Sequence, residues 1–369
     1  MKIYYNGRFL TQRLTGVQRY SHEVLGAWDR MLEKSPALRE RISITVLAPR
    51  DGHLYKPNWK HIELRFVGKR SGYLWEQTEL PAALDGPLFC PGNTAPILSL
   101  LSGKPVVVTV HDLSYRYFPS AYSRKFRAAY GLIMPFVFRF ARKIFTVTDS
   151  ERQMMGRCYP GALGRIVPII PGSFSPLVLE QIPGILAQPS ERPYVLYVGS
   201  ITKRKNVQGV LDTALEMVRN TELSFFFVGD ISKSFIQPNL SVPEEFRDRI
   251  RFLGRIDDAE LISWYKGAAC LVFPSFYESF GSPPVEAMTC GCPVIVSDIP
   301  ALREVGGDAV LYCDPHDRIS IILAIRRLTE DLNLNAEMRA LGTARAARYS
   351  WENCARTLLE SIEATCSSS

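Results

Sequence analysis

The sequence predicts an α/β protein built from two doubly wound parallel sheets. Three observations carry that reading. The chain has 369 residues, 46% of them hydrophobic and 22% charged, a globular composition longer than one core usually serves. Short apolar runs rich in β-branched and aromatic residues alternate with amphipathic stretches, which is the pattern of βαβ units. A proline-rich segment without period, residues 171–193, separates two copies of that plan.

In the front half the expected strands are KIYYN, ISITVLA, HIELRFV, PLFC, PVVVTV, IFTVT and RIVPII. Their near-continuous apolar character fits parallel strands covered on both faces. VQRYSHEVLGAWDRMLEK reads as an amphipathic helix between the first two. In the back half the strands are YVLYVG, LSFFFVG, IRFLG, CLVFPS, PVIVSD and AVLYC, and NVQGVLDTALEMV is a helix. Residues from Trp351 to Cys366 read as a last helix, with a frayed Ser367–Ser369 end. The expected domains are therefore 1–172 and 173–350, followed by a helix and tail over 351–369. Doubly wound domains of this kind are expected to face each other across a cleft, lined by the loops at the strand carboxyl ends.

Charge is unevenly placed. The formal net charge is +7, but residues 1–172 hold 25 Lys and Arg against 12 Asp and Glu, so the front half is basic and the back half acidic. A basic front half suggests an anionic partner, and nucleic acid, anionic lipid headgroups and a phosphorylated acceptor all qualify. A nucleic-acid-binding protein is the non-enzymatic reading, yet helix-turn-helix, RNP and zinc patterns are missing. The basic, aromatic segment SRKFRAAYGLIMPFVFRFARK (Ser123 to Lys143) is either a core-packing helix with a solvated basic end or an interfacial helix on anionic lipid. The eight cysteines include no C-x-x-C pair and no cluster with histidine at zinc spacing; Cys290 and Cys292 read as small core residues. We expect a reducing, cytoplasmic setting. MKIYYNGRFL lacks the apolar core of a signal peptide, and the run AAYGLIMPFVF is too short to span a bilayer.

Two strand-loop-helix junctions carry the chemistry. YVLYVG runs into SITKRKN and then a helix; the glycine permits a sharp turn, and the helix start offers unpaired amides to an anion. Arg204 and Lys205 add charge there, which suits a diphosphate without a metal; a solvated basic turn is the plainer alternative. Neither the Walker nor the dinucleotide fingerprint fits. In FYESFGSPPVEAM, Glu278 lies in the loop and Glu286 about one turn into a helix that Pro283 or Pro284 begins. Gly281 and Ser282 stand at that helix start. The two-oxygen carboxylates match vicinal hydroxyls, so the turn suits a sugar at one end and a ribose at the other. A glycosidase-type carboxylate pair is the rival enzyme reading, disfavoured because one acid is in a loop and the other on a helix behind a phosphate-type turn. His111 closes PVVVTV and precedes Asp112; a strand-end histidine is often a structural hydrogen-bonder. Gly16 opens a helix whose first turn can present amides to phosphate, with Arg19 behind it.

The pattern E-S-F-G-x-P-x-x-E-A-M followed by GCPVIVS, with VGSITKRKN, Val110-His111-Asp112 and TGVQRY in this order, resembles the donor site of family-four retaining glycosyltransferases with the GT-B fold. The resemblance covers nearly the whole chain and is strongest from Tyr194 to Pro315. It implies that the front domain binds the acceptor and the back domain a nucleotide diphosphate sugar. It further implies that Glu278 and His111 contact the transferred sugar, Glu286 the ribose, and Arg204 and Lys205 the diphosphate. Gly16, Gly199, Ser200, Phe280, Gly281, Ser282 and Pro283 complete the implied donor site, and no metal or other cofactor is implied. The family often has arginine directly after the glycine where this chain has Ser200, and Arg204 is expected to take over that charge. Overall likeness to bacterial mannosyltransferases of surface polysaccharide assembly implies GDP-mannose as donor, with UDP- or dTDP-sugars as alternatives. It also implies a saccharide acceptor, lipid-linked, met on the inner face of the cytoplasmic membrane by a peripheral enzyme.

Overall fold

The computed structural model describes residues 1–54, 57–174, 178–179, 190–230 and 240–367. Most of the expected linker (175–177 and 180–189) and the last two serines lie outside them. All thirteen expected strands form, and every pairing between them is parallel.

Contacts divide the chain into two compact units. Unit 1 comprises Met1–Leu113, Lys125–Gly172 and Ser350–Ser369; unit 2 comprises Ser114–Arg124 and Ser173–Tyr349. The C-terminal helix thus belongs to the unit formed by the front half of the chain. Residues Ser114–Arg124 belong to the other unit, where Tyr117 stacks on Tyr277 with ring centroids 5.7 Å apart.

The strands of unit 1 are β1 (Lys2–Asn6), β2 (Ser43–Ala48), β3 (Glu63–Phe66), β4 (Leu88–Cys90), β5 (Val106–Thr109), β6 (Lys143–Thr146) and β7 (Ile166–Pro168). They lie in the order β3-β2-β1-β4-β5-β6-β7. The order reverses direction between β1 and β4, which opens a crevice at their carboxyl ends. Val106–Thr109 is buried throughout, as a two-sided parallel strand must be. The helix Gly16–Lys34 lays Tyr20, Val24 and Trp28 into the core beside Tyr5 and Phe89. The helix Trp351–Ser367 joins the same core through Leu358, Leu359 and Ile362. Each such side chain contributes about 1.5–3 kcal/mol by burial, enough to dock the helix. Trp28 Nε1 also donates to the Ala355 carbonyl at 2.7 Å.

Unit 2 holds β8 (Tyr194–Val198), β9 (Ser224–Val228), β10 (Ile250–Gly254), β11 (Cys270–Phe273), β12 (Val294–Ser297) and β13 (Leu311–Cys313) in the order β10-β9-β8-β11-β12-β13. This is the dinucleotide-fold order, with its switch point between β8 and β11. The loops after these two strands are the two junctions singled out in the sequence. The loops after β8 and β9 meet backbone to backbone: a Cβ on Gly229 would lie 1.9 Å from the Gly199 carbonyl oxygen, so only glycine fits there.

Candidate active site

The loop after β8 tightens into one short turn, Lys203–Lys205, and then enters the helix Val207–Asn220 through Asn206. Asn206 takes the left-handed conformation (φ +54°), and its side-chain amide donates to the Pro315 carbonyl at 2.8 Å. Asparagine tolerates this backbone better than most residues, so the turn fixes where its two preceding cations point. They point at the other junction. Arg204 donates to the Tyr277 carbonyl at 2.7 Å, and its carbonyl accepts the Phe276 amide at 2.9 Å. Lys205 Nζ and Arg204 Nη1 both reach Glu278 Oε1, Arg204 at 3.5 Å.

This cluster is buried. Side-chain exposure is 13% for Arg204, 11% for Lys205 and 7% for Glu278. The plainer alternative of a solvated basic turn therefore fails. Lys205 also lies over the Phe273 ring, 4.6 Å from its centroid. Burial pushes the Glu278 carboxyl up, but Lys205 and then Arg204 outweigh that, so its pKa falls below the ordinary glutamate value. Glu278 is thus an anion held by two cations, and the cluster keeps one net positive charge.

After Glu278 the chain turns at Gly281, with φ +88°, into the helix Ser282–Thr289. That turn is available to glycine at no steric cost. A Cβ there would also press on Leu302 at 2.7 Å. Phe280 turns its ring inward, 4% exposed, edge-on to Tyr349 at 5.8 Å, so only its backbone faces the turn. Glu286, half-buried, accepts the Tyr265 hydroxyl at 3.2 Å. Burial, with Glu286 nearby, pushes the Tyr265 phenol well up, so it stays a donor. Gly199 and Ser200 sit at the end of β8, where the Ser200 carbonyl accepts the Tyr197 hydroxyl at 3.3 Å. The sequence reading missed Tyr197 and Tyr265, because a tyrosine in a core strand or helix carries no motif. A surface cavity of 540 Å³ is lined by Phe276, Asp298, Tyr312, Asp314 and His316; none of the expected site residues lines it.

In unit 1, His111 follows β5 and is buried. Its Nε2 lies 2.8 Å from the Pro91 carbonyl, and its backbone amide donates to Asn93 Oδ1 at 2.7 Å. Tyr20 approaches its ring edge-on at 4.8 Å. Burial pushes the imidazole pKa down; the Pro91 carbonyl and Asp112 oppose this without overturning it. Gly16, at the exposed start of its helix, has open space around it. That helix start is partly capped, since Gln18 accepts the Thr15 amide at 3.2 Å. In the same unit Arg8, just after β1, forms a buried pair (2.7 Å) with Glu76 of the helix Gly72–Thr78. The sequence reading named neither Asn93 nor this pair.

Comparison with known proteins shows what the chain is similar to. Residues 179–345 match the family model described as "Glycosyl transferases group 1". The chain is 32% identical over 228 residues to O-antigen chain mannosyltransferase B of Escherichia coli, covering 58% of each protein. It is 27% identical to O-antigen chain mannosyltransferase RfbU of Salmonella typhimurium, covering 60% of each. The matched region thus spans about three fifths of these relatives. Among solved structures, sucrose-phosphate synthase from Thermosynechococcus elongatus superposes with a TM-score of 0.75 at 19% identity, over 100% of this chain and 99% of that one. WaaG, a glycosyltransferase involved in lipopolysaccharide biosynthesis, gives 0.69 at 17%, over 98% and 99%. These two likenesses speak for the fold. Residues 179–345 therefore resemble the group 1 glycosyl transferases, and the two Rossmann-like units have the GT-B fold that the sequence led us to expect.

Proposed function

We propose that the chain is a retaining, metal-independent glycosyltransferase that moves a hexose from a nucleotide diphosphate sugar to a saccharide acceptor in surface polysaccharide synthesis. The observation that carries this reading is the buried cluster of Glu278, Lys205 and Arg204 at the switch point of unit 2. A net positive cluster beside the start of the helix Ser282–Thr289 suits a departing diphosphate, and preorganised charge of this kind stabilises the transition state directly. Glu278, kept anionic, accepts hydrogen bonds from sugar hydroxyls. Held as an anion, it does not serve as the general acid of a glycosidase pair. Glu286 takes the ribose and His111 a hydroxyl of the transferred sugar. With no carboxylate among the described residues placed as nucleophile, substitution proceeds on the front face, and a leaving-phosphate oxygen helps deprotonate the acceptor.

Mannose, as GDP-mannose, is our reading of the donor, supported by the O-antigen mannosyltransferase relatives; a UDP- or dTDP-sugar is the alternative. We read the acceptor as lipid-linked and the enzyme as cytoplasmic, peripheral on the inner face of the membrane. The helix Arg124–Phe140 supports this, because Leu132 and Phe140 are 63% and 45% exposed beside Arg124, Lys125, Arg127 and Arg139. Apolar side chains ringed by cations suit an anionic lipid surface. No described helix is long and apolar enough to cross a membrane.

A thermal-shift panel of nucleotides and nucleotide sugars tests the donor, since a ligand of the folded state raises the melting temperature. GDP and GDP-mannose should give the largest shifts; a shift from no nucleotide at all refutes the reading. Transfer to a lipid-linked saccharide should survive EDTA, and full loss restored by manganese or magnesium would refute metal independence.

A further inference from the structure

The turn that follows β4, Pro91 to Thr94, is strained and heavily tied. Asn93 has φ +67°, and among the described residues Asn206 is the other non-glycine residue with positive φ. Such a backbone persists only where its surroundings over-determine it, and it clusters at functional positions. Here the ties are specific. The Asn93 amide donates to the Thr109 carbonyl at 2.9 Å, and the Thr94 amide to Gly92 at 2.8 Å. The Thr94 hydroxyl donates to Glu76 at 2.8 Å and accepts from Arg8 at 3.3 Å, so the buried Arg8–Glu76 pair anchors the turn. The turn then spends two acceptors on one residue, His111: Asn93 Oδ1 on its backbone amide and the Pro91 carbonyl on its ring Nε2.

A carbonyl only accepts, so Nε2 carries the ring proton and the neutral imidazole keeps its lone pair on Nδ1. We propose that Asn93 is a positioning residue: it ties the His111 backbone so that the ring stays on the Pro91 carbonyl as the Nε2–H tautomer, and Nδ1 accepts a hydrogen bond from a hydroxyl of the transferred hexose. The proposal rests on the reading of His111 as a sugar contact. It adds a specificity: an acceptor at Nδ1 favours a hydroxyl over a carboxylate at whichever sugar carbon it faces.

Three variants and one spectrum test it. Asn93→Gly keeps the left-handed backbone and removes the side-chain acceptor; Asn93→Asp keeps both. Asn93→Gly should lower kcat about 10–100-fold, with KM for the donor nearly unchanged, as misplacement of a contacting group does. Asn93→Asp should recover most of that loss. In histidine-labelled wild-type protein, the ¹⁵N signals missing from His111→Gln should report a protonated Nε2 and a bare Nδ1. A protonated Nδ1 overturns the proposal, as does wild-type kcat in Asn93→Gly when His111→Gln is impaired. Wild-type turnover in His111→Gln would instead remove the sugar-contact reading, and the proposal with it.

Discussion

Glu278 and His111 each follow a parallel strand at its carboxyl end, and both are buried, yet their neighbours leave the first charged and the second neutral. Burial disfavours charge in both, raising a carboxyl and lowering an imidazole. At Glu278 two cations reverse the effect, so the carboxylate survives in the interior. At His111 the facing group is a carbonyl, which binds a proton already present on the ring but adds no charge of its own. Unit 2 has therefore built a site of fixed charge, suited to phosphate chemistry, and unit 1 a neutral hydrogen-bonding site suited to sugar hydroxyls. The first depends on ion pairs and the second on backbone geometry. Substitutions should expose that difference.

The largest effect should come from Lys205. Alanine there leaves Glu278 buried with Arg204 alone, and breaking a buried ion pair costs about 3–5 kcal/mol. Urea unfolding should show a loss toward the lower end, because Arg204 remains, and the double variant Lys205→Ala/Glu278→Gln should regain part of it. No loss at all would mean that the cluster is effectively solvated. Arg204→Ala comes next, seen mainly in binding: affinity for the bare nucleoside diphosphate should fall by about 1.5–3 kcal/mol, the worth of one charge-assisted hydrogen bond. Unchanged affinity by calorimetry would remove the diphosphate from this loop. Glu286→Ala should weaken nucleotide and nucleotide sugar alike, and Tyr265→Phe by about 0.5–1.5 kcal/mol, since only one neutral donor is lost.

The smallest effect is in pH dependence. His111 has a depressed pKa in the fold, so below the unfolded value of about 6.5 the unfolded chain binds the extra proton first. Its contribution to stability is complete above that pH and fades as pH falls through the folded pKa. Glu278 is depressed too, so its contribution is present above the ordinary glutamate value and is lost at still lower pH. His111→Phe should flatten the upper of these two windows and Glu278→Gln the lower. Unfolding curves that lose the same window in both variants would contradict the contrast.

How legible each region was in the sequence follows the same division. Strands declared themselves because parallel strands covered on both faces need unbroken apolar runs, and thirteen such runs became strands among the described residues. Arg204, Lys205 and Glu278 were legible as loop residues next to glycines and a helix start. Their mutual pairing was not, since it joins positions 73 and 74 residues apart that only the β8–β11 adjacency brings together. For that reason a solvated basic turn stayed open as an alternative from sequence, whereas the cations are buried in the fold. Asn93 was less legible still. PGNT looks like any turn, and nothing local says that its asparagine holds a histidine 18 residues further on. The helix Trp351–Ser367 shows the same limit at larger scale: a last helix was legible, but not that it docks on the unit made by the front half.

The central claim, that Glu278 holds the sugar while its two cations hold the diphosphate, is tested most directly by titrating the bare nucleoside diphosphate into Glu278→Ala by calorimetry. Removing the carboxylate releases Lys205 and Arg204 from their internal partner. The account predicts affinity at least as high as in the wild-type protein, alongside a large loss of sugar transfer. Affinity that falls as far as in Arg204→Ala, or transfer that persists at the wild-type rate, would contradict it.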